Sequence, residues 1–301
     1  QTLKEMLHLK KKKSQCGRRG ERIFSNICVM PSLIGVLIFF LIPFGIVVYY
    51  SLINNPIMQE FVGLDNYKRL IETVAFKKAA VNTATFSLIS VPLAVILSLW
   101  FAVLLERDIP GKSVVRTFFL SPLMVPTASV VLVWQVLFHT NGTLNQIIEM
   151  FGGGSVDWMK SAHGQTIIIV MFLWKNMGYN MILFMSALAS IPRDIIEVAK
   201  LEGASGWYQF VHIKLRYLSP TILFVLILSL INSFKIFREV YLLTGDYPYD
   251  KMYMLQHFMN NTFNSLDYQK LSSAAVLFSL IMIVIIAILL AIENHFGKDV
   301  E

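Results

Sequence analysis

Residues 191–220 read IPRDIIEVAKLEGASGWYQFVHIKLRYLSP and form a long polar segment between two strongly apolar runs. Pro192 suits the opening of a helix, where a missing N–H costs nothing, and Arg193 and Asp194 follow it. Ile195, Ile196, Ala199 and Leu201 then give that helix an apolar face. Gly203 can take the left-handed conformation that stops a helix. Ser205 next offers a side-chain cap for a second amphipathic run through Trp207, Phe210, Val211 and Ile213. The expected product, over 191–218, is a helix, a tight turn and another helix at the edge of a bilayer.

The bilayer follows from composition. With 55% hydrophobic residues in a chain of 301 and a mean hydropathy of +0.61, the protein is too apolar for an ordinary soluble domain. A helix needs roughly 20 apolar residues to cross the hydrocarbon core. Six stretches qualify: 27–51, 79–105, 115–138, 164–189, 219–240 and 270–292. The first is longer than the apolar part of a signal peptide, about 7–15 residues, and lacks an A-x-A site, so it reads as an uncleaved span. This divides the chain into a basic tail, 1–26, a six-helix body, 27–292, and a short tail, 293–301.

Charge orients the body. Segments 1–26, 106–116, 191–216 and 293–301 carry 16 Lys and Arg, whereas 52–78, 139–163 and 241–270 carry 7. The positive-inside rule therefore places both termini and the 191–218 loop in the cytoplasm. The net charge of +7 does not call for nucleic acid, because eight of the 26 basic residues precede Asn26, where they meet anionic membrane lipid. Pro92, Pro122 and Pro126 interrupt apolar runs and should bend them. Gly142 to Asn145 and Gly152 to Gly154 read as a flexible link ahead of Trp158.

Glu197, Ala199, Gly203, Ala204, Phe210, Ile213 and Leu215 stand at the spacing of E-A-A-x-x-D-G-A, five residues, F-x-x-I-x-L-P. That pattern is the "EAA" loop, and the chain resembles the membrane subunits of bacterial binding-protein-dependent ABC importers. Val198, Glu202 and Arg216 depart from it. Trp174, Gly178, Tyr179, the run from Ala187 to Pro192, Gly63 to Tyr67 and the YLLTG of Tyr241 to Gly245 resemble the carbohydrate branch. The resemblance implies an all-α permease of six transmembrane helices, of MetI-like architecture, in the bacterial inner membrane. It implies coupling to an ATPase through Glu197, Ala199, Glu202, Gly203, Ala204, Ser205 and Phe210. The implied partners are a second homologous permease subunit, two cytoplasmic ATPase subunits that bind ATP and Mg, and an extracellular solute-binding protein. No cofactor is expected in this chain.

A candidate substrate face lies in the membrane. Trp174, Met177, Gly178 and Met181 recur at i, i+3, i+4 and i+7 and share one helix face, with Gly178 opening room beside an aromatic ring. Ser229, Asn232, Ser233 and Ile236 repeat the spacing on the next span as a polar stripe. Such a mixture suits a sugar, whose C–H faces take aromatic or thioether surface and whose hydroxyls take amides. The same pattern also serves to glue membrane helices together. Asn176, Tyr179 and Asn180 lie on neighbouring faces. Lys175, Lys235 and Arg238 are charges within apolar runs, at an insertion cost of about 2.5–3.5 kcal/mol each. Arg238 beside Glu239 suggests local neutralisation; a sharper reading gives the cations an acidic glycan to bind.

No G-x-x-x-x-G-K-[ST], H-E-x-x-H, G-x-S-x-G or paired-Cys spacing occurs, so neither an ATPase nor an intramembrane enzyme is expected. An ion-coupled secondary transporter would place carboxylates at mid-membrane, and Glu239 alone lies within a span. The reading is a permease for a sugar or oligosaccharide. Glycerol phosphate or another polar solute carried by the same machinery is the alternative.

Overall fold

The structure is a computed structural model, and it describes residues 28–106, 110–160 and 163–296. The tail 1–26, with Cys16 and His8, and residues 297–301 lie outside the described residues. The chain divides into two compact units: 28–67 with 268–276, and 68–267 with 277–296.

In the first unit, helix α1 spans Cys28–Ser51. Pro43 lacks an N–H and cannot bond to the carbonyl of Phe39, and the helix widens by one residue over Leu37–Leu41 ahead of it. Beyond α1 the chain is tied by Asn66, buried, whose side-chain amide donates to the carbonyls of Ser51 (3.0 Å) and Ile53 (2.8 Å). Ser51 and Tyr67 share a hydroxyl hydrogen bond of 2.7 Å. The Gly63–Tyr67 stretch is thus a structural clasp that closes the exit of α1.

The second unit holds the remaining helices, of which α2 (Asp65–Glu72) begins at its border. Helix α3 (Val74–Glu106) is followed by α4 (Lys112–Met124) and α5 (Thr127–Leu137). Then come α6 (Thr143–Met150), α7 (Gly164–Ala189), α8 (Arg193–Leu201), α9 (Gly206–Thr244) and α10 (Leu255–Asn264). The last helix, α11 (Tyr268–Phe296), is shared between the units. Phe86 of α3 meets Phe172 of α7 edge to face at 5.5 Å, and Val130, Trp134, Ile168, Met171, Ile236 and Val240 pack around them. A second cluster, with Val95, Met181, Phe184, Leu188, Leu218 and Val225, fills the other end.

Two expected spans differ from the structure. The stretch 115–138 is not one helix: α4 and α5 meet at a bend of 101°, where Val125 turns extended before Pro126, as steric conflict with a following proline demands. The fifth span begins at Gly206, thirteen residues before the expected 219, so the second run of the polar segment is the start of that span and not a separate helix. Arg216, where the family pattern has proline, lies inside continuous helix.

Contacts fix which helix ends lie together. Glu106 pairs with Lys214 at 2.6 Å, and Glu106, Lys112, Ala189 and Arg193 line one cleft. At the opposite end Asn82 donates to the carbonyls of Asp250 (2.8 Å) and Tyr253 (3.0 Å), and Gln165 donates to the carbonyl of Asn82 (3.2 Å). Lys112 and Gly164 therefore lie at opposite ends, and the chain between them crosses. The α4–α5 pair is a broken span and not a re-entrant hairpin, which brings the spans among the described residues to six.

The expected flexible link before Trp158 is tied down. Asn145, buried, donates to the carbonyls of Thr140 (2.7 Å) and Val156 (2.8 Å) and accepts from the Trp158 indole N–H (2.9 Å). One amide so replaces the secondary-structure bonds that a glycine-rich loop forgoes.

Candidate functional site

The polar segment forms a helix-turn-helix whose geometry is local in origin. Pro192 precedes α8, and Gly203 sits at φ +81°. The Ala204 N–H reaches the carbonyl of Ala199 (2.9 Å) and the Gly203 N–H that of Lys200 (3.0 Å), the paired closure of a left-handed helix stop. Ser205 caps the next helix by accepting from the Tyr208 N–H at 3.2 Å. Gln209, buried, donates to the carbonyl of Ala204 (2.8 Å) and clamps the turn onto α9. Sequence reading missed Gln209; its signal was an amide on the apolar side of the second run.

This turn projects. No residue of α8 is buried, and Leu201 is 88% and Trp207 74% exposed, with Val198 and Tyr208 also open. Glu197, Glu202 and Ser205 are exposed, while Ala199, Ala204 and Phe210 are half-buried. These large apolar side chains make an exposed apolar patch on the turn.

Between α7 and α9 the predicted faces meet within this chain. Asn180 donates to Ser229 (2.9 Å), Asn232 to Asn176 (3.0 Å), and Ser233 shares a hydrogen bond with Ser87 of α3 (2.9 Å). Met181, Ser229, Ser233 and Ile236 are buried. A Cβ on Gly178 would lie 2.5 Å from the Phe119 carbonyl carbon, so the space expected beside this glycine is filled by the backbone of α4. Trp174, Lys175, Met177 and Asn232 are half-buried and Tyr179 is exposed. Trp174 lies against Trp134, with ring centres 6.3 Å apart.

The intramembrane charges sort differently from the sequence expectation. Glu239 is held by Lys175 and not by its neighbour Arg238, because adjacent residues on a helix diverge by about 100°. Its second carboxylate oxygen is buried without a partner among the described residues. Lys235 and Arg238 are exposed and make no ion pair among the described residues.

Six spans among the described residues, with an exposed helix-turn-helix between the fourth and the fifth, define the class: a multi-span membrane protein. Residues 22–301 match the family described as the binding-protein-dependent transport system inner membrane component, and the chain belongs to that family. It is 29% identical to the trehalose/maltose transport system permease protein MalF of Thermococcus litoralis, over 91% of this chain and 94% of that one. It is 34% identical to the sn-glycerol-3-phosphate transport system permease protein UgpA of Escherichia coli, over 69% and 72%. The fold is that of a chain in the crystal structure of a bacterial alginate ABC transporter in complex with an alginate pentasaccharide-bound periplasmic protein. The TM-score there is 0.80 and the identity 20%, over 93% and 96%. The chain is accordingly a transport subunit of the inner membrane.

Proposed function

We propose that this chain is one of two permease subunits of an ATP-driven importer for a sugar or oligosaccharide. An extracellular binding protein delivers the solute, and two cytoplasmic ATPase subunits, which bind ATP and Mg, supply the work. Both termini and the α8 turn face the cytoplasm. The observation that carries this reading is the protruding turn from Arg193 to Phe210, closed by Gly203 and capped by Ser205, with Leu201 and Trp207 bare. It offers an ATPase a rigid apolar knob, with Glu197 and Glu202 as acids for a basic partner. ATP-driven motion of that knob would switch the spans between inward- and outward-facing states.

Relatives named for trehalose/maltose and for sn-glycerol-3-phosphate support a polyhydroxylated solute. Trp174, Met177 and Asn232 remain accessible to it. Gly178, Met181, Ser229, Ser233 and Ile236 would act on the path indirectly, through helix packing. A second reading, an anionic solute such as a glycan acid or a phosphorylated polyol, is favoured by Lys235 and Arg238, which make no ion pair among the described residues; Lys175 is committed to Glu239.

Reconstitution tests the proposal. Vesicles holding the permease pair should accumulate the solute only when ATPase subunits and binding protein are added. Gly203→Pro cannot adopt φ +81°, and should leave the complex assembled and ATP hydrolysed while uptake is lost. Uptake at full rate without ATPase, or normal coupling in both Gly203→Pro and Glu197→Arg, would overturn it.

A further inference from the structure

At the end of the bundle that bears α8, a cleft of about 660 Å³ opens between the termini of α3, α4, α7, α8 and α9. Five cations line it: Lys112 and Arg116 of α4, Arg193 and Lys200 of α8, and Lys214 of α9. Two carboxylates, Glu106 and Glu197, line it as well, which leaves a net charge of +3 among the described residues. Glu106 is spent on Lys214. Arg116, Arg193 and Lys200 have no carboxylate within ion-pair reach among the described residues. Apart from Ser186, the rest of the lining is apolar, with Ile182, Met185, Leu188, Ile191 and Ile196 prominent.

Cations facing one another across a low-dielectric wall raise the local positive potential and concentrate anions. Three separate helices supply these cations, so an occupant would bridge them. The volume is that of a ligand site. Apolar wall and cationic rim together match an amphiphile: a phosphate-bearing head on the cations and an acyl chain along Ile182, Met185 and Ile196. Basic pockets between spans at the cytoplasmic surface hold such lipids.

We propose that the cleft binds an anionic phospholipid of the inner leaflet, with one or two phosphate groups seated among Lys112, Arg116, Arg193 and Lys200. The lipid ties α8 to the end of α4 and so makes coupling depend on lipid composition. The inner leaflet and the effect on coupling rest on the function proposed above, whereas lipid retention by the cleft does not, and no particular solute is required. A free phosphate compound shares the head-group chemistry, and the test separates the two sources.

The assembled transporter, placed in nanodiscs of phosphatidylcholine mixed with cardiolipin or phosphatidylglycerol, is examined by native mass spectrometry. The wild type should retain the anionic lipid over phosphatidylcholine. Lys112→Gln with Arg116→Gln, both outside the α8 turn, should lower retention about 30-fold, near fivefold per cation. Arg69→Gln with Lys77→Gln, which removes the same charge elsewhere, should not. ATP hydrolysis by the wild type should rise with anionic lipid content, and that response should flatten in the Lys112/Arg116 variant. Equal retention in the two double variants overturns the proposal. So does a site that takes pyrophosphate and retains no lipid, since the occupant is then soluble.

Discussion

Gly178→Ala separates two uses of one residue. If the glycine opens a space for solute, a methyl group there narrows the path and changes which solutes compete. The structure instead sets the backbone of Phe119 against it, with the carbonyl carbon 2.5 Å from where a Cβ would stand. Ordinary carbon contacts need about 3.5–4.0 Å, so α4 and α7 must part by about 1–1.5 Å. Neither obstacle is a flexible side-chain tip, because both the carbonyl and the Leu120 nitrogen behind it belong to a helix backbone. Overpacking of this kind costs about 1–3 kcal/mol, and the rigid neighbour puts the effect at the upper end. The separation also reaches the Ser98 hydroxyl, which donates to the carbonyl of Met177 at 3.1 Å one residue away. Thermal unfolding of the detergent-purified complex should show a midpoint lowered by several degrees, and the relative order of competing solutes should stay the same. An unchanged midpoint with a changed order of competitors would refute the packing argument.

Other outcomes follow from the charges. Lys175→Met leaves Glu239 buried and unpaired, and stability should fall by about 3–5 kcal/mol in chemical unfolding. Lys175→Met with Glu239→Gln should recover most of that loss; equal damage in single and double variants would count against the pair. His257, buried in α10 beyond the fifth span, is held by burial at a pKa of about 4, against 6.5 in the open chain, with Asp246 opposing weakly. The unfolded chain therefore binds the extra proton between these values. Stability should be complete above pH 6.5 and fall by about 3 kcal/mol as pH drops to 4. His257→Phe, set against the Phe237 ring 4.7 Å away, should flatten that decline in pH-dependent unfolding. Lys235→Met and Arg238→Met should raise the KM for uronate-bearing or phosphorylated solutes about tenfold and leave neutral oligosaccharides unaffected; equal loss for both solute classes would exclude the anionic reading.

What was legible in the sequence was local. The bounds 164–189 coincide with α7, because an apolar run flanked by Gly164 and Pro192 specifies both ends. The Gly203 stop and Ser205 cap were equally readable, since each needs only its own neighbours. The start of α9 was not, because hydropathy reports burial in lipid whereas helicity continues through polar residues such as His212 and Lys214. Pro126 announced a bend without its size, which depends on where α5 docks against α9 through Gln135. The polar stripe of α9 turns toward α3 and α7, and its partners there, Ser87, Asn176 and Asn180, are 49 to 146 residues away. Spacing along one helix cannot name them. The basic cleft was hidden for the same reason, as its cations come from three helices.

The long run of α9 from Gly206 to Thr244, widened over Phe210–Lys214 and turned at Ile236, has a mechanical consequence. At the α-helical rise its 39 residues would reach at most about 58 Å, nearly twice the hydrocarbon thickness. One end carries the turn clamped by Gln209, and Glu239, linked to Lys175, sits near the other. A rod pivoting at its middle moves its ends in opposite senses, and a tilt of about 10° carries each about 5 Å. A push on the tip that bears the Gln209 turn would thus pull the Glu239 end the other way, as on a seesaw, with no second signal needed to coordinate the two ends.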